Sequence, residues 1–143
     1  MILLDTNIVS ESWRQSPSPV VVAWLDNQPM ETLYLCAPVV AELRFGAERL
    51  AAGFRRDRLL ARIELLENEG FQGRILDFDL AAAAAFGRIG AERERIGRRM
   101  EPFDAMIAAI AISRGMQMAT RDTGDFADIG LDLINPFDAV AGY

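Results

Sequence analysis

Five carboxylates carry the chemistry this chain can perform. Asp5 closes the apolar run Ile2-Leu3-Leu4, and Glu42 lies just after the strand-forming stretch TLYLC at 32–36. Asp104 opens an apolar stretch at 105–113, and Asp122 and Asp125 follow a short run ending at Thr120. Clustered carboxylates favour hard, oxygen-loving cations such as Mg²⁺ or Mn²⁺. Ions held this way activate water and stabilise the charge that builds up during phosphodiester cleavage, with no histidine required. Thr6, Asn7 and Thr120 stand beside these acids and can hydrogen-bond a carboxylate or a metal's waters. Arg121, next to Asp122, is a candidate for contacting phosphate or orienting a carboxylate.

Each acid also has a plainer reading. Asp104 is well placed to cap the helix it precedes. Asp5 can form an Asx turn with Thr6 and Asn7, and TRDTGDF at 120–126 is good turn sequence. Glu42 is the hardest to explain away, because it shares a helix face with Val39, Phe45 and Gly46 and has no capping role. An ion beside an apolar stripe is costly unless something pairs with it. A divalent cation is one solution and arginine the other.

Elimination narrows the chemistry further. The 143 residues include 15 basic side chains, all arginine, and no histidine. That excludes a Ser-His-Asp triad, an imidazole metal site, a P-loop lysine and a Schiff base. The single cysteine, Cys36, excludes an internal disulfide and a cysteine-based zinc site and points to a reducing compartment. The formal charge of −6 argues against a general nucleic-acid coat protein but not against a nuclease, whose acid site is itself negative. The opening MILLDTN does not read as a signal peptide, and Ala105 to Ser113 is too short to span a bilayer. The expectation is a cytoplasmic protein with no membrane association.

The elements that must position these acids read as an alternation. Strands are expected at 2–4, 32–36, 74–78, 117–120 and 131–134. Helices are expected at 8–13, 20–27, 38–50, 55–69, 80–99 and 105–114, the last stopped by Gly115. Short apolar strands alternating with helices indicate an α/β fold, a mostly parallel central sheet flanked by helices, in one domain over 1–143. In such sheets ligands bind beyond the carboxyl ends of the strands. The acids recur near that edge.

Four stretches carry a family resemblance: ILLDTN at 2–7, VAELRFG at 40–46, DAMIAAIA at 104–111 and ATRDTGDF at 119–126. Taken together, in this order, they resemble PIN-domain ribonucleases, most closely the VapC/FitB-type toxins of bacterial toxin–antitoxin pairs. The resemblance implies a PIN-like fold of about five strands. It makes Asp5, Glu42, Asp104 and Asp122 the acidic, metal-binding quartet and Asp125 an auxiliary acid. Thr6, Asn7 and Thr120 fall at supporting polar positions. It implies a Mg²⁺- or Mn²⁺-dependent endoribonuclease acting on RNA, a homodimer silenced by a VapB/FitA-like antitoxin. Operator DNA would be bound only through the antitoxin complex.

A second reading is a PIN-like module that acts mainly by binding, as partner to a DNA-binding antitoxin in operator repression, with little turnover. A carboxylate phosphatase or phospho-receiver is disfavoured because those families also use a lysine. Two arginine clusters, Arg55, Arg56, Arg58 and Arg62, and Arg93, Arg95, Arg98 and Arg99, read either as phosphate grips or as solvated faces with ion pairs such as Glu94 to Arg98. The solvated reading is favoured for both. Trp13, Trp24, Phe45 and Phe54 are the apolar residues to watch for a partner groove between the helices at 38–50 and 55–69.

Overall fold

Ile2, Leu3 and Leu4 are all buried and form the central strand β1 (Ile2–Leu4) of a five-stranded sheet. A computed structural model describes residues 1–138, so the expected domain over 1–143 extends five residues beyond the described part. The other strands are β2 (Leu33–Cys36), β3 (Ile75–Leu76), β4 (Gln117–Ala119) and β5 (Leu133–Ile134). Their order is β3-β2-β1-β4-β5, and every neighbouring pair is parallel. Strands 74–78 and 131–134 are shorter than the sequence suggests. As edge strands they pair on one side only, so nothing extends the ladder beyond the residues that reach β2 and β4.

The connections are helical, as a parallel sheet requires. α1 (Thr6–Ser12) follows β1 at once, and α2 (Pro19–Asp26) starts on a proline in its first turn. α3 (Ala37–Glu48) leaves β2 directly, with Pro38 in its first turn. α4 (Phe54–Leu65) runs on into a π-helical turn at Leu66–Gly70. α5 (Leu80–Arg95) is capped by Asp79, whose carboxylate accepts from the Ala82 amide at 2.9 Å. It ends short of Arg99.

α6 (Pro102–Ser113) is the central helix. Ala105 and every residue from Ile107 to Ala111 are buried, as an all-apolar helix must be. It packs against α3, α5 and β4. Gly115 terminates it at φ +64°, a conformation a β-carbon disfavours, and the chain turns straight into β4.

One expectation is corrected here. Asp104 is not the cap of this helix. Glu101 is, accepting from the amides of Phe103 and Asp104, and the helix begins at Pro102. Proline at the first position is preorganised for a helix start. Asp104 therefore sits within the first turn, its side chain free of capping duty.

Candidate active site

The sheet order places β2 on one side of β1 and β4 on the other, so the order in which strands are laid down reverses between β1 and β4. A crevice opens at the carboxyl ends of strands at such a point. Leu4 is in register with Ala119, and the Asp5 amide donates to the Ala119 carbonyl at 2.9 Å. Asp5 and Thr120 thus leave adjacent strands side by side.

From there a continuous set of hydrogen bonds links six of the expected residues. The Thr120 hydroxyl donates to Asp5 Oδ2 at 2.8 Å, and the Thr6 amide donates to Asp5 Oδ1 at 2.8 Å. The Thr6 hydroxyl donates to Glu42 Oε1 at 2.7 Å, across from β1's end to α3. The Asp122 amide donates to the Thr120 hydroxyl at 3.1 Å, and Asn7 Nδ2 donates to Asp122 Oδ2 at 3.0 Å. Each of these three carboxylates is held by a hydroxyl or an amide. Asp5 is also the cap of α1, so its turn role and its place among the acids coexist.

Asp104 and Asp125 join this group through charge rather than contact. Burial, and then the neighbouring charges of Asp5, Glu101, Asp125 and Glu42, push the Asp104 carboxyl up to about 7. Burial likewise raises Asp5 to about 6, against the pull of the Thr120 and Thr6 hydrogen bonds; Glu42 and Asp122 add to the rise. Asp5 and Asp104 thus both feel neighbouring acids on top of their burial.

Arginine does not neutralise them. No ion pair to Asp5, Glu42, Asp104, Asp122 or Asp125 occurs among the described residues. Arg44 pairs with Glu67, and Arg121 lies over the Phe137 ring at 4.7 Å. The Arg121 side chain is thus turned to Phe137. Its backbone amide still serves the site, donating to Asn7 Oδ1 at 3.3 Å. An all-oxygen, anionic donor set suits Mg²⁺ or Mn²⁺. Among the described residues no three carboxylates lie close enough to enclose an ion as they stand. Asp122 and Asp125 are exposed and Asp104 and Glu42 half-buried, so side-chain rotation is open to them.

The arginine clusters divide differently from the expectation. Arg93 is neither solvated nor a phosphate grip. It is 4% exposed and donates to the carbonyls of Arg98, Asp125 and Ala127 at 2.8–3.0 Å. It clamps the short 3₁₀ turn Thr123–Phe126 that follows Asp122. Its signal was in the sequence: Ala82, Ala85, Ile89 and Arg93 recur at helical spacing along the buried side of α5. Arg98 pairs with Asp128, not Glu94, and the pair along α5 is Arg88 with Glu92. Phe45 and Phe54 are exposed at 67% and 79%, outside the cleft between α1, α3 and α4, whereas Trp13 lines it. Trp24 packs against the core.

The comparisons with known proteins agree with this geometry. The PIN domain family model matches residues 2–131. The chain is 44% identical over 138 residues to VapC ribonuclease Y4jK of Sinorhizobium fredii, covering 96% of this chain and 99% of that protein. It is 42% identical to toxin FitB of Neisseria gonorrhoeae, covering 96% of this chain and 99% of the other. A chain of FitAB bound to an IR36 DNA fragment superposes with a TM-score of 0.92 at 40% identity, with both chains fully covered. With this sheet order, these acids and these relatives, the chain belongs to the PIN-domain family.

Proposed function

We propose that this protein is a Mg²⁺- or Mn²⁺-dependent endoribonuclease, the toxin of a toxin–antitoxin pair, acting in the cytoplasm as one PIN domain. The observation that carries this reading is the hydrogen-bonded set Glu42–Thr6–Asp5–Thr120–Asp122–Asn7 at the β1–β4 switch point, with no arginine paired to its acids among the described residues. Asp5, Glu42, Asp104 and Asp122 would hold the metal. When bound, the ion supplies Lewis-acid charge to a phosphoryl oxygen and acidifies water.

The chain's own residues set the stage for that chemistry. Thr120 fixes one oxygen of Asp5 and the Thr6 amide fixes the other. Thr6 orients Glu42, and Asn7, itself anchored on the Arg121 amide, orients Asp122. Hydrogen bonds of this kind orient carboxylates that are to ligate a metal. Asp125 adds negative charge beside Asp104, and Arg93 holds the turn that carries it. The ionised forms of Asp5 and Asp104 would be favoured by a bound cation, so metal binding would be coupled to loss of any proton they hold.

Partners follow from the relatives. FitB is named a toxin, and the FitAB assembly has been solved on DNA. For this chain we infer a VapB/FitA-like antitoxin, operator DNA bound only through the complex, RNA as the substrate and a homodimeric toxin. The test is cleavage of RNA by the purified chain with Mg²⁺ or Mn²⁺, with EDTA, and with Asp104→Asn. Metal-dependent cleavage lost in the variant supports the reading. Cleavage that survives both EDTA and Asp104→Asn overturns the carboxylate–metal mechanism, and a folded wild type that cuts no RNA points to a binding module.

A further inference from the structure

Thr6 and Glu42 also line a cleft of about 950 Å³ that runs between α1, α3 and α4. The charged side chains around it are Arg14, Arg55, Arg58 and Arg62, against one acid, Glu42. The whole chain carries −6, so the cleft has the opposite sign to the molecule around it. Arg55, Arg58 and Arg62 lie at i, i+3 and i+7 on α4, one face of the helix, over about 10 Å of its length. That is the reach of roughly two to three phosphates along a strand.

The partners of these arginines set them apart from ordinary surface charge. Arg55 and Arg58 are exposed and pair with no carboxylate among the described residues. Arg56, one residue away and outside the cleft, pairs with Glu48 at 3.3 Å. Arg62 donates to the Trp13 carbonyl at 3.2 Å and lies over the Trp13 ring at 5.9 Å, fixing an aromatic face in the cleft wall. A row of phosphate-binding groups beside an aromatic face matches the alternation of phosphate and base in single-stranded RNA.

We infer that this cleft is the track for the RNA strand flanking the cleaved phosphate. Arg55 and Arg58 grip its phosphates, and Trp13, held by Arg62, stacks on a base. The inference rests on the ribonuclease reading above. Continuity with Glu42 and Thr6 favours RNA over an acidic peptide, because a strand lying here enters the acid site directly.

The experiment measures binding of a labelled single-stranded RNA to the full-length Asp104→Asn protein with Mg²⁺, over a range of KCl concentrations. Arg55→Gln/Arg58→Gln is compared with Arg56→Gln, each shown folded by its melting curve. Loss of two phosphate contacts should flatten the slope of log affinity against log salt by about 1.4. Arg56→Gln should leave the slope in place. In cleavage by the Asp104 protein, the double variant should raise KM at unchanged kcat. A wild type that cleaves RNA, with equal slopes in all variants, overturns the track while leaving the ribonuclease reading intact. A double variant that binds RNA normally but loses an acidic peptide also overturns it. A wild type that neither binds nor cleaves RNA overturns both.

Discussion

Thr120 and Asp5 meet through a 2.8 Å hydrogen bond across the point, between β1 and β4, where the order of strands in the sheet reverses. Thr120 is fully buried and Asp5 is 5% exposed, so water cannot replace that donor if it is lost. The same hydroxyl accepts from the Asp122 amide at 3.1 Å and so ties two of the acids together. Thr120→Val keeps the shape and removes the hydroxyl. It should lower cleavage about 10–100-fold, the usual cost of losing a group that orients a ligating residue. Thr120→Ser should recover most of the loss. Single-turnover cleavage across a metal titration checks this, and a Thr120→Val protein as active as wild type would refute it.

The raised carboxyls make stability depend on pH in a defined direction. In the unfolded chain Asp5 and Asp104 titrate near the ordinary 3.8; folded, they titrate at about 6 and about 7. Between those limits the folded state binds more protons than the unfolded state, so stability falls as pH rises. The metal-free protein should melt higher at pH 5 than at pH 8, with the loss complete above about pH 7. Asp104→Asn should flatten the profile. Added Mg²⁺ should raise Tm more at pH 8 than at pH 5, because the ion binds ionised carboxylates. Melting curves in EDTA and in Mg²⁺ over that range give the answer, and a stability that rises with pH would reverse the sign argued here.

Much of this site was legible in the sequence because strand ends announce themselves. Asp5 follows three apolar residues and Asp122 follows a run ending at Thr120, so parallel-sheet geometry alone sends both acids to one edge. Glu42 stood out by sharing a helix face with Val39, Phe45 and Gly46, although Phe45 proves to be exposed. What the sequence hid depends on contacts between distant residues. Nothing near Arg121 says that its guanidinium will lie over Phe137, or near Arg98 that its partner is Asp128. The cap of α6 was hidden for a local reason. Aspartate is a preferred cap and glutamate is not, so residue type pointed to Asp104, and only Pro102, suited to the first helical position, favours Glu101.

Arg93 should prove a stability residue. Its buried guanidinium serves three backbone carbonyls, and Arg93→Met would remove all three of those donations. We expect a loss of about 2 kcal/mol in urea unfolding, the scale for hydrogen bonds to a charged group. Arg93→Lys keeps the charge but lacks the planar fork, so it should restore only part of the loss. Faster amide exchange at Thr123–Phe126 should accompany both changes. Unaltered exchange there would show that the turn holds without the clamp.

Arg121 and Asn7 allow the backbone and side-chain roles at one position to be separated. The Arg121 amide anchors Asn7, which in turn orients Asp122. The Arg121 guanidinium faces Phe137, an exposed cation–π contact worth about 0.5–1 kcal/mol. Arg121→Ala leaves the amide in place. It should therefore cost a little stability and only a small part of the cleavage rate. Asn7→Ala breaks the link to Asp122 and should cost about 10–100-fold, as for Thr120. The two variants should be compared at saturating metal and saturating RNA, where the rate reports the orientation of the acids. If Arg121→Ala proves the more damaging of the two, its guanidinium must leave Phe137 during the reaction and contact the RNA itself.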